Sequence, residues 1–449
     1  MSDIGDIAAN RLSAEQYRRN FDDVEPPLDR QRAVVDANRC YFCHDAPCLE
    51  ACPTGIDIPG FIRKIATDNI RGAAITILQE NIMGGACARV CPTEILCEQA
   101  CVRTAQEGKP VDIGALQRYA TDWLLERGVQ PFRRAAASGR RIAVVGAGPA
   151  GLACAHRLAL LGHETTVFEA RVKAGGLNEY GVAAYKVAHD FAQREVDFIL
   201  SLGGIALRLG QALGRDVTLS QLRREHDAVF IGTGLGGVNA LQLEGEAIAG
   251  VEDAVAYIER LRQTPDKASL AIGRRVVVIG GGNTAIDIAV QARRLGAEDV
   301  TIVYRRGPES MGATRHEQEF AQTEGVGIRH WARPARLIGG SGRLTSVEFE
   351  RTAPDTGGRV TGTGARFILA ADMLFTAIGQ TLLAPPAHEG ATELLELRHG
   401  RIAVDSDGRT SLPDVWAGGD CVEGPDLTVN AVQDGKRAAH AIDRFLRNE

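Results

Sequence analysis

From residue 141 onward, short β-branched runs stop at glycine and give way to apolar stretches of helical spacing. RIAVVGAGPAGLACAHRLALLGHETTVFEA (141–170) reads as strand, glycine turn, helix and second strand. The same order returns in RRVVVIGGGNTAIDIAVQARRLGAEDVTIVYRR (274–306). A third segment, VWAGGDCVEGPDLTVNAVQDGKRAAHAI (415–442), predicts a short strand ending in Gly-Gly-Asp and then a long helix. The runs AVFIGTGLG (228–236) and MLFTAIGQ (373–380) read as strands where the chain crosses between two domains. Before residue 139 strand signals are few, and IPGFIRKIATDNIRGAAITILQENIMG (58–84) has helical apolar spacing. The expected fold is therefore α+β and multidomain, a helical N-terminal domain followed by two Rossmann-like α/β domains.

Composition narrows the function class. At 449 residues the chain exceeds one ordinary core. Its net charge of −6 is mild and no long basic tract occurs, so neither nucleic acid nor a membrane surface is an expected partner. The N-terminus lacks the basic and apolar regions of a signal peptide. No apolar run approaches the roughly 18 residues that span a bilayer, which makes a cytoplasmic location the expectation.

Eight of the ten cysteines lie between residues 40 and 101. Cys40, Cys43, Cys48 and Cys52 follow C-x2-C-x4-C-x3-C-P, and Cys87, Cys91, Cys97 and Cys101 follow C-x3-C-P-x4-C-x3-C. A disulfide scaffold does not suit a large unsecreted chain. Zinc sites usually recur as paired C-x2-C knuckles, and one such pair is present. Closely spaced thiolates followed by Cys-Pro are the ferredoxin-type pattern, in which the last cysteine of a run reaches across to the other cluster. Iron–sulfur ligation is the better reading, with a zinc-binding adaptor as its rival.

The glycine turns carry dinucleotide chemistry. Gly146 permits the tight turn, Gly148 lets the backbone approach a pyrophosphate, and Gly151 lets the helix pack close to the strand. The phosphates would meet free N–H groups at the helix N-terminus, and Glu169 ends the second strand where a carboxylate accepts ribose hydroxyls. In the second unit Gly280, Gly282 and Ala285 hold the fingerprint positions, while Arg305 and Arg306 replace the ribose-binding acid. Guanidinium groups suit a 2′-phosphate, hence NADP; they could equally stay solvated or stack on adenine, so NADH and NADPH both stay open. Gly419–Asp420 and a helix from Thr428 look like the second FAD fingerprint of two-dinucleotide flavoproteins. That fingerprint lies beyond the second glycine motif, so the FAD domain is expected to be discontinuous with the NAD(P) domain inserted. The expected boundaries are 1–138 for the iron–sulfur domain, 139–268 and 381–449 for the FAD domain, and 269–380 for the NAD(P) domain. Outside the cluster segment only Cys154 and Cys421 remain, so no dithiol accompanies the flavin.

From about Glu25 to the C-terminus these features resemble the family of the bacterial glutamate synthase small subunit and the N-terminal half of dihydropyrimidine dehydrogenase. The resemblance implies one [4Fe–4S] cluster on Cys40, Cys43, Cys48 and Cys101, and a second on Cys52, Cys91, Cys97 and Gln117, with Cys87 unused. Gln117 stands in VDIGALQRYA, sixteen residues after the last cysteine. The dehydrogenase branch has glutamine there, and the glutamate synthase branch typically has glutamate. For FAD it implies Gly146, Gly148, Pro149, Ala150, Gly151, Glu169, Gly176, Leu177, Lys186, Leu213, Gly419, Asp420 and Thr428. For the nicotinamide nucleotide it implies Gly281, Gly282, Asn283, Thr284, Arg305, Arg306, Ala377 and Gly379. Lys186 departs from the arginine of dihydropyrimidine dehydrogenase, and Gly312 stands where the family's proline would be.

The expected function follows from that resemblance. NAD(P)H reduces FAD, and single electrons pass through the clusters to an FMN- and iron–sulfur-containing catalytic subunit of dihydropyrimidine dehydrogenase, which reduces uracil or thymine. No separate acid–base residues are expected, because the flavin carries the chemistry. The small subunit of glutamate synthase is the alternative.

Overall fold

The computed structural model describes residues 6–243, 248–383 and 395–448. The chain divides into two compact units. One comprises residues 25–179, 189–236 and 382–449, and the other residues 1–24, 180–188 and 237–381.

In the first unit the β-branched runs of the sequence become a five-stranded parallel sheet. Its order is Val415–Ala417, Ala228–Ile231, Arg141–Val145, Glu164–Glu169 and Ile205–Leu209. The central strand Arg141–Val145 is apolar and buried beyond its first residue, as a strand covered on both faces must be. Helix Pro149–Leu160 packs on it and against helix Thr428–Arg447. Those two helices meet closely at Gly435, where a Cβ would lie 2.1 Å from the Ala150 carbonyl oxygen.

The cysteine-bearing half of this unit is helical, as its spacing predicts. Asp57 caps Ile58–Ala66 by accepting the Gly60 N–H at 2.9 Å. Asn69 caps Ile70–Glu80, and Asp112 caps Ile113–Glu126 by accepting the Ala115 N–H. The apolar faces of these helices, including Phe61, Ile62, Ile77 and Leu116, share one core with Ile142 and Val144 of the sheet and with Leu152 and Ile199 of helices Pro149–Leu160 and Phe191–Leu200. A single packed core therefore fixes the cysteine loops relative to the first glycine turn.

The second unit has its own five-stranded parallel sheet. Its order is Gly327–Arg329, Asp299–Val303, Arg275–Gly280, Met373–Ala377 and Val251–Asp253. A three-stranded antiparallel meander, Ala332–Gly340, Arg343–Pro354 and Val360–Ala370, adds to it.

The unit boundaries differ from the sequence-based ones in several places: the iron–sulfur and FAD segments share one unit, and residues 180–188 fall in the nicotinamide unit. Residues 237–268 join the nicotinamide unit, because Val251–Asp253 pairs with Met373–Ala377 and the next helix buries Ala254, Tyr257, Ile258 and Leu261 in that core. The first 24 residues also belong there rather than with the helices that follow. Ile7–Ala8 pairs with Ile272–Gly273, and buried Tyr17 packs into the same core. Among the described residues no helix is long and apolar enough to cross a membrane.

Candidate functional site: two glycine turns and a cysteine-lined cavity

The first glycine turn has the geometry its residues predict. Gly146 adopts φ 95°, and a Cβ there would lie 2.3 Å from the Gly232 carbonyl oxygen. At Gly151 a Cβ would lie 1.9 Å from the Gly146 carbonyl oxygen, so only glycine lets the helix close on the turn. Gly148 is nearly open, with Gly176 as its one neighbour at 3.7 Å. A pyrophosphate therefore has room beside the N-terminus that begins at Pro149 and Ala150.

Glu169 is buried, and its carboxylate accepts the Ala147 N–H at 2.8 Å and the Arg171 N–H at 2.9 Å. Both bonds fix it at the turn, and each oxygen keeps a further lone pair for a ribose hydroxyl.

Of the other expected flavin residues of this unit, Gly176 and Gly419 lie against the same turn. Gly176 has φ 56° and lies against Gly148. Leu177 begins the next short helix, and Leu213 packs on the core of the sheet's other face. Gly419 has φ 74° and donates its N–H to Asp434 Oδ2 at 3.0 Å, a partner that sequence reading missed. Thr428 opens the long helix and donates its hydroxyl to Asn178. Burial pushes the Asp420 carboxyl up to about 6, with Asp426 adding to the shift and Arg401 opposing it.

Lys186 is the exception, because the structure places it in the other unit. There its ammonium contacts Asp287 at 2.8 Å and Glu317 at 2.6 Å. Burial disfavours its charge, and the two carboxylates more than offset that, holding it firmly protonated.

The cysteines form two groups. In the first, Cys43 and Cys101 lie near enough to Cys40 and Cys48 to raise those two thiols. Cys48 is pushed up to about 12 by burial and then by Cys101, Cys40 and Cys43, and Cys40 is raised by burial and by Cys43 and Cys101. Phe42, at φ 52°, turns its N–H onto Cys40 Sγ at 3.4 Å.

The second group lines a cavity. Cys52, Cys87, Cys91, Cys97 and Gln117 surround it, together with Asn81, Thr93 and Val429. Contact with Cys87, burial, and the thiols of Cys97 and Cys52 all raise Cys91. The donors surround space rather than converge on a point: among the described residues no three His, Cys, Asp or Glu could hold a single ion.

Gln117 is the fifth residue of Ile113–Glu126 and points inward, on the same face as Leu116 and Ala120. Its amide nitrogen donates to the Gly84 carbonyl at 2.7 Å. That bond fixes the orientation of the amide and leaves Oε1 to the cavity. Cys154 and Cys421 are buried and free in separate cores.

The second glycine turn shows the same logic. Gly280 has φ 153°, and a Cβ would lie 2.3 Å from the Ala377 carbonyl oxygen. Gly281 has the Tyr304 ring where a Cβ would go, at 2.5 Å. Gly282 has nothing within 4 Å, so space is open in front of the helix that starts at Asn283 and Thr284. Gly312 and Ala313 close on this turn, the Ala313 N–H donating to the Gly281 carbonyl at 2.9 Å. Arg305 and Arg306 are exposed, and their backbone carbonyls are held by Thr352 and Trp331. Gly379 has φ 99°, and its carbonyl accepts the Asn239 N–H.

The chain is similar to known proteins in sequence and fold. Residues 17–129 match the family model described as dihydropyrimidine dehydrogenase domain II, 4Fe-4S cluster. Residues 140–435 match pyridine nucleotide-disulphide oxidoreductase. The chain is 33% identical over 427 residues to the NAD-dependent dihydropyrimidine dehydrogenase subunit PreT of Escherichia coli K12, covering 95% of this chain and 97% of that one. It is 34% identical over 448 residues to the small chain of that organism's glutamate synthase [NADPH], covering 95% and 94%. Among solved structures, Mycobacterium tuberculosis FprA in complex with NADPH aligns with a TM-score of 0.57 at 21% identity, over 69% of this chain and 85% of that one. At that identity the likeness is one of fold.

Proposed function

Because the chain belongs to the pyridine nucleotide-disulphide oxidoreductase family, and is an NAD(P)H-dependent oxidoreductase with FAD and a 4Fe–4S domain, we propose that it is the electron-input subunit of a dihydropyrimidine dehydrogenase. Bound FAD would supply hydride acceptance from the nicotinamide, and bound clusters would supply one-electron transfer. The residues of the chain bind and orient those groups. Gly146 to Gly151, Glu169, Gly176, Leu177, Leu213, Gly419, Asp420 and Thr428 hold FAD, and Gly281 to Thr284, Arg305, Arg306, Ala377 and Gly379 hold the nucleotide. Lys186, its ammonium held by Asp287 and Glu317, is left out of the flavin set. Cys40, Cys43, Cys48 and Cys101 take one [4Fe–4S] cluster. Cys52, Cys91, Cys97 and Gln117 take the other.

The observation that carries this reading is the Gln117 amide. Identity does not separate the PreT and glutamate synthase relatives, at 33% and 34%. The hydrogen bond to Gly84 needs an N–H donor, which glutamine has and glutamate at neutral pH lacks. Val429, next to Thr428, lines the Gln117 cavity, which supports this cluster as the one nearer the flavin.

Reconstitution tests the proposal. The chain mixed with an FMN- and iron–sulfur-containing dihydropyrimidine dehydrogenase catalytic subunit should oxidise NAD(P)H in response to uracil, and neither component alone should do so. Restored glutamate synthesis with a glutamate synthase large subunit, without uracil turnover, would replace it by the glutamate synthase reading. For the nucleotide, Arg305→Glu should weaken NADPH more than NADH if the guanidinium meets a 2′-phosphate.

A further inference from the structure

Glu195 is a buried carboxyl to which the assignments above give no role. It lies on helix Phe191–Leu200, 1% exposed, and faces the start of helix Gly84–Val90, which carries Cys87 and is capped by Cys91. The Ala86 N–H donates to its Oε1 at 3.0 Å. Its Oε2 is buried with no hydrogen-bond partner among the described residues. Close approach is built in at Gly85, where a Cβ would lie 2.5 Å from the Phe191 ring and 2.9 Å from the Glu195 carboxylate. Gln117 grips the same turn through the Gly84 carbonyl. The three-residue stretch Gly84–Ala86 thus joins this carboxyl to the cavity lined by Cys52, Cys91, Cys97 and Gln117.

The charges around Glu195 are few. From helix Gly84–Val90, Arg89 lies 3.5 Å from the centre of the Phe191 ring and donates to both oxygens of Asp122 at 2.8 Å. From helix Ile113–Glu126, Asp122 also accepts from Arg118 at 3.3 Å. Arg89 and Asp122 satisfy each other, so Arg89 attracts Glu195 without a direct ion pair. Burial pushes the Glu195 carboxyl up to about 7, against the pull of the Ala86 N–H and Arg89. Its two protonation states are then nearly balanced at neutral pH. One added negative charge in the same low-dielectric region tips that balance toward the acid.

We propose that Glu195 takes up a proton from solvent when the Cys52, Cys91, Cys97 and Gln117 site gains an electron, and returns it when the electron leaves. The electron derives from the nicotinamide by way of the flavin, and the only bond made or broken at Glu195 is O–H. This rests on reading the cavity as a cluster site.

The test is a redox titration of the full-length protein, followed by electron paramagnetic resonance, on both sides of neutral pH. In the wild type, the reduced-to-oxidised ratio at fixed potential should fall as pH rises above neutral, by up to about tenfold per pH unit as one proton per electron requires, and should level off at acid pH, where Glu195 already holds its proton. Glu195→Gln keeps an acceptor for the Ala86 N–H and should remove the dependence. Infrared difference spectra should show a protonated carboxyl appearing on reduction in the wild type and not in the variant. A flat wild-type profile, or an unchanged slope in Glu195→Gln with full iron and sulfide, overturns the inference. If Glu195→Gln loses iron, Glu195→Met is read in its place, and a flat wild-type profile still decides. Absence of iron and sulfide from the wild type would instead overturn the reading of the cavity.

Discussion

At the scale of single residues, one donor group separates Gln117 from a glutamate. Its NH2 meets the Gly84 carbonyl at 2.7 Å inside the core. A carboxylate there would set two acceptors against each other. Gln117→Glu should therefore destabilise the apo-protein by about 1–3 kcal/mol, the usual penalty for a buried polar group left without its partner. Urea unfolding of the apo-protein measures it, with Gln117→Met as the uncharged control. Asp420 gives a pH prediction. Its folded carboxyl, raised to about 6 by burial, holds its proton more tightly than the unfolded chain does. The stability it contributes is present at acid pH, below the ordinary carboxylate range, and is lost as pH rises through about 6. A ribityl hydroxyl donating to Asp420 favours the ionised form, so flavin affinity should rise as pH climbs through about 6. Flavin-fluorescence titrations should show that rise in the wild type and a flat profile in Asp420→Asn. The position of Asp420 was legible from Gly-Gly-Asp before a helix; its proton affinity was not, since Asp426, Arg401 and Asp434 reach it only in the fold.

Among elements, legibility followed locality. The two strand–turn–helix units could be read because each glycine answers to atoms a few residues away or on the adjoining strand: Gly151 to Gly146, Gly280 to Ala377. The cysteine helices could be read from their apolar period. What escaped were elements defined by distant pairing. Val251–Asp253 becomes a sheet strand only by meeting Met373–Ala377, and the meander from Ala332 to Ala370 carries arginines whose partners, Glu348 and Glu350, lie across the strands. Lys186 escaped for the same reason, its two carboxylates lying about a hundred residues or more onward. Gly435 is a contact of this long-range kind that a mutation can test. In Gly435→Ala the new methyl would stand 2.1 Å from the Ala150 carbonyl oxygen, so the long helix must back away from Pro149–Leu160. Overpacking of this kind typically costs about 1–3 kcal/mol. A lower melting temperature and weaker flavin retention are expected, measured by thermal unfolding and by flavin content after gel filtration. Unchanged values in both would mean that the helices are not held at that distance.

For the whole molecule, the first residues present the clearest consequence of how the chain is divided. Residues 1–24 precede the cysteine helices in sequence but belong to the nicotinamide unit. Arg11 donates to the Ile272 carbonyl at 3.1 Å, Asn20 to the Arg294 carbonyl at 2.8 Å, and the buried Tyr17 hydroxyl reaches the Leu295 carbonyl at 3.4 Å. Gly296 lies against Arg11 and Leu12. The edges they cover end the helix Asn283–Arg294 and flank the strand Arg275–Gly280, the two elements that present the second glycine turn. The residues proposed for the clusters and the flavin lie in the other unit, and among the described residues its cores have no member from this segment. Removal of residues 1–24 should therefore act selectively. Iron, sulfide and flavin contents should match the full chain, while the nicotinamide unit unfolds at lower temperature and NAD(P)H reduces the flavin more slowly. The milder Tyr17→Ala should move in the same direction, since truncating a buried aromatic side chain costs about 3–5 kcal/mol. Differential scanning calorimetry and stopped-flow flavin bleaching measure the two effects. Loss of the clusters on deletion, with nucleotide reduction of the flavin intact, would assign the segment to the cysteine helices instead.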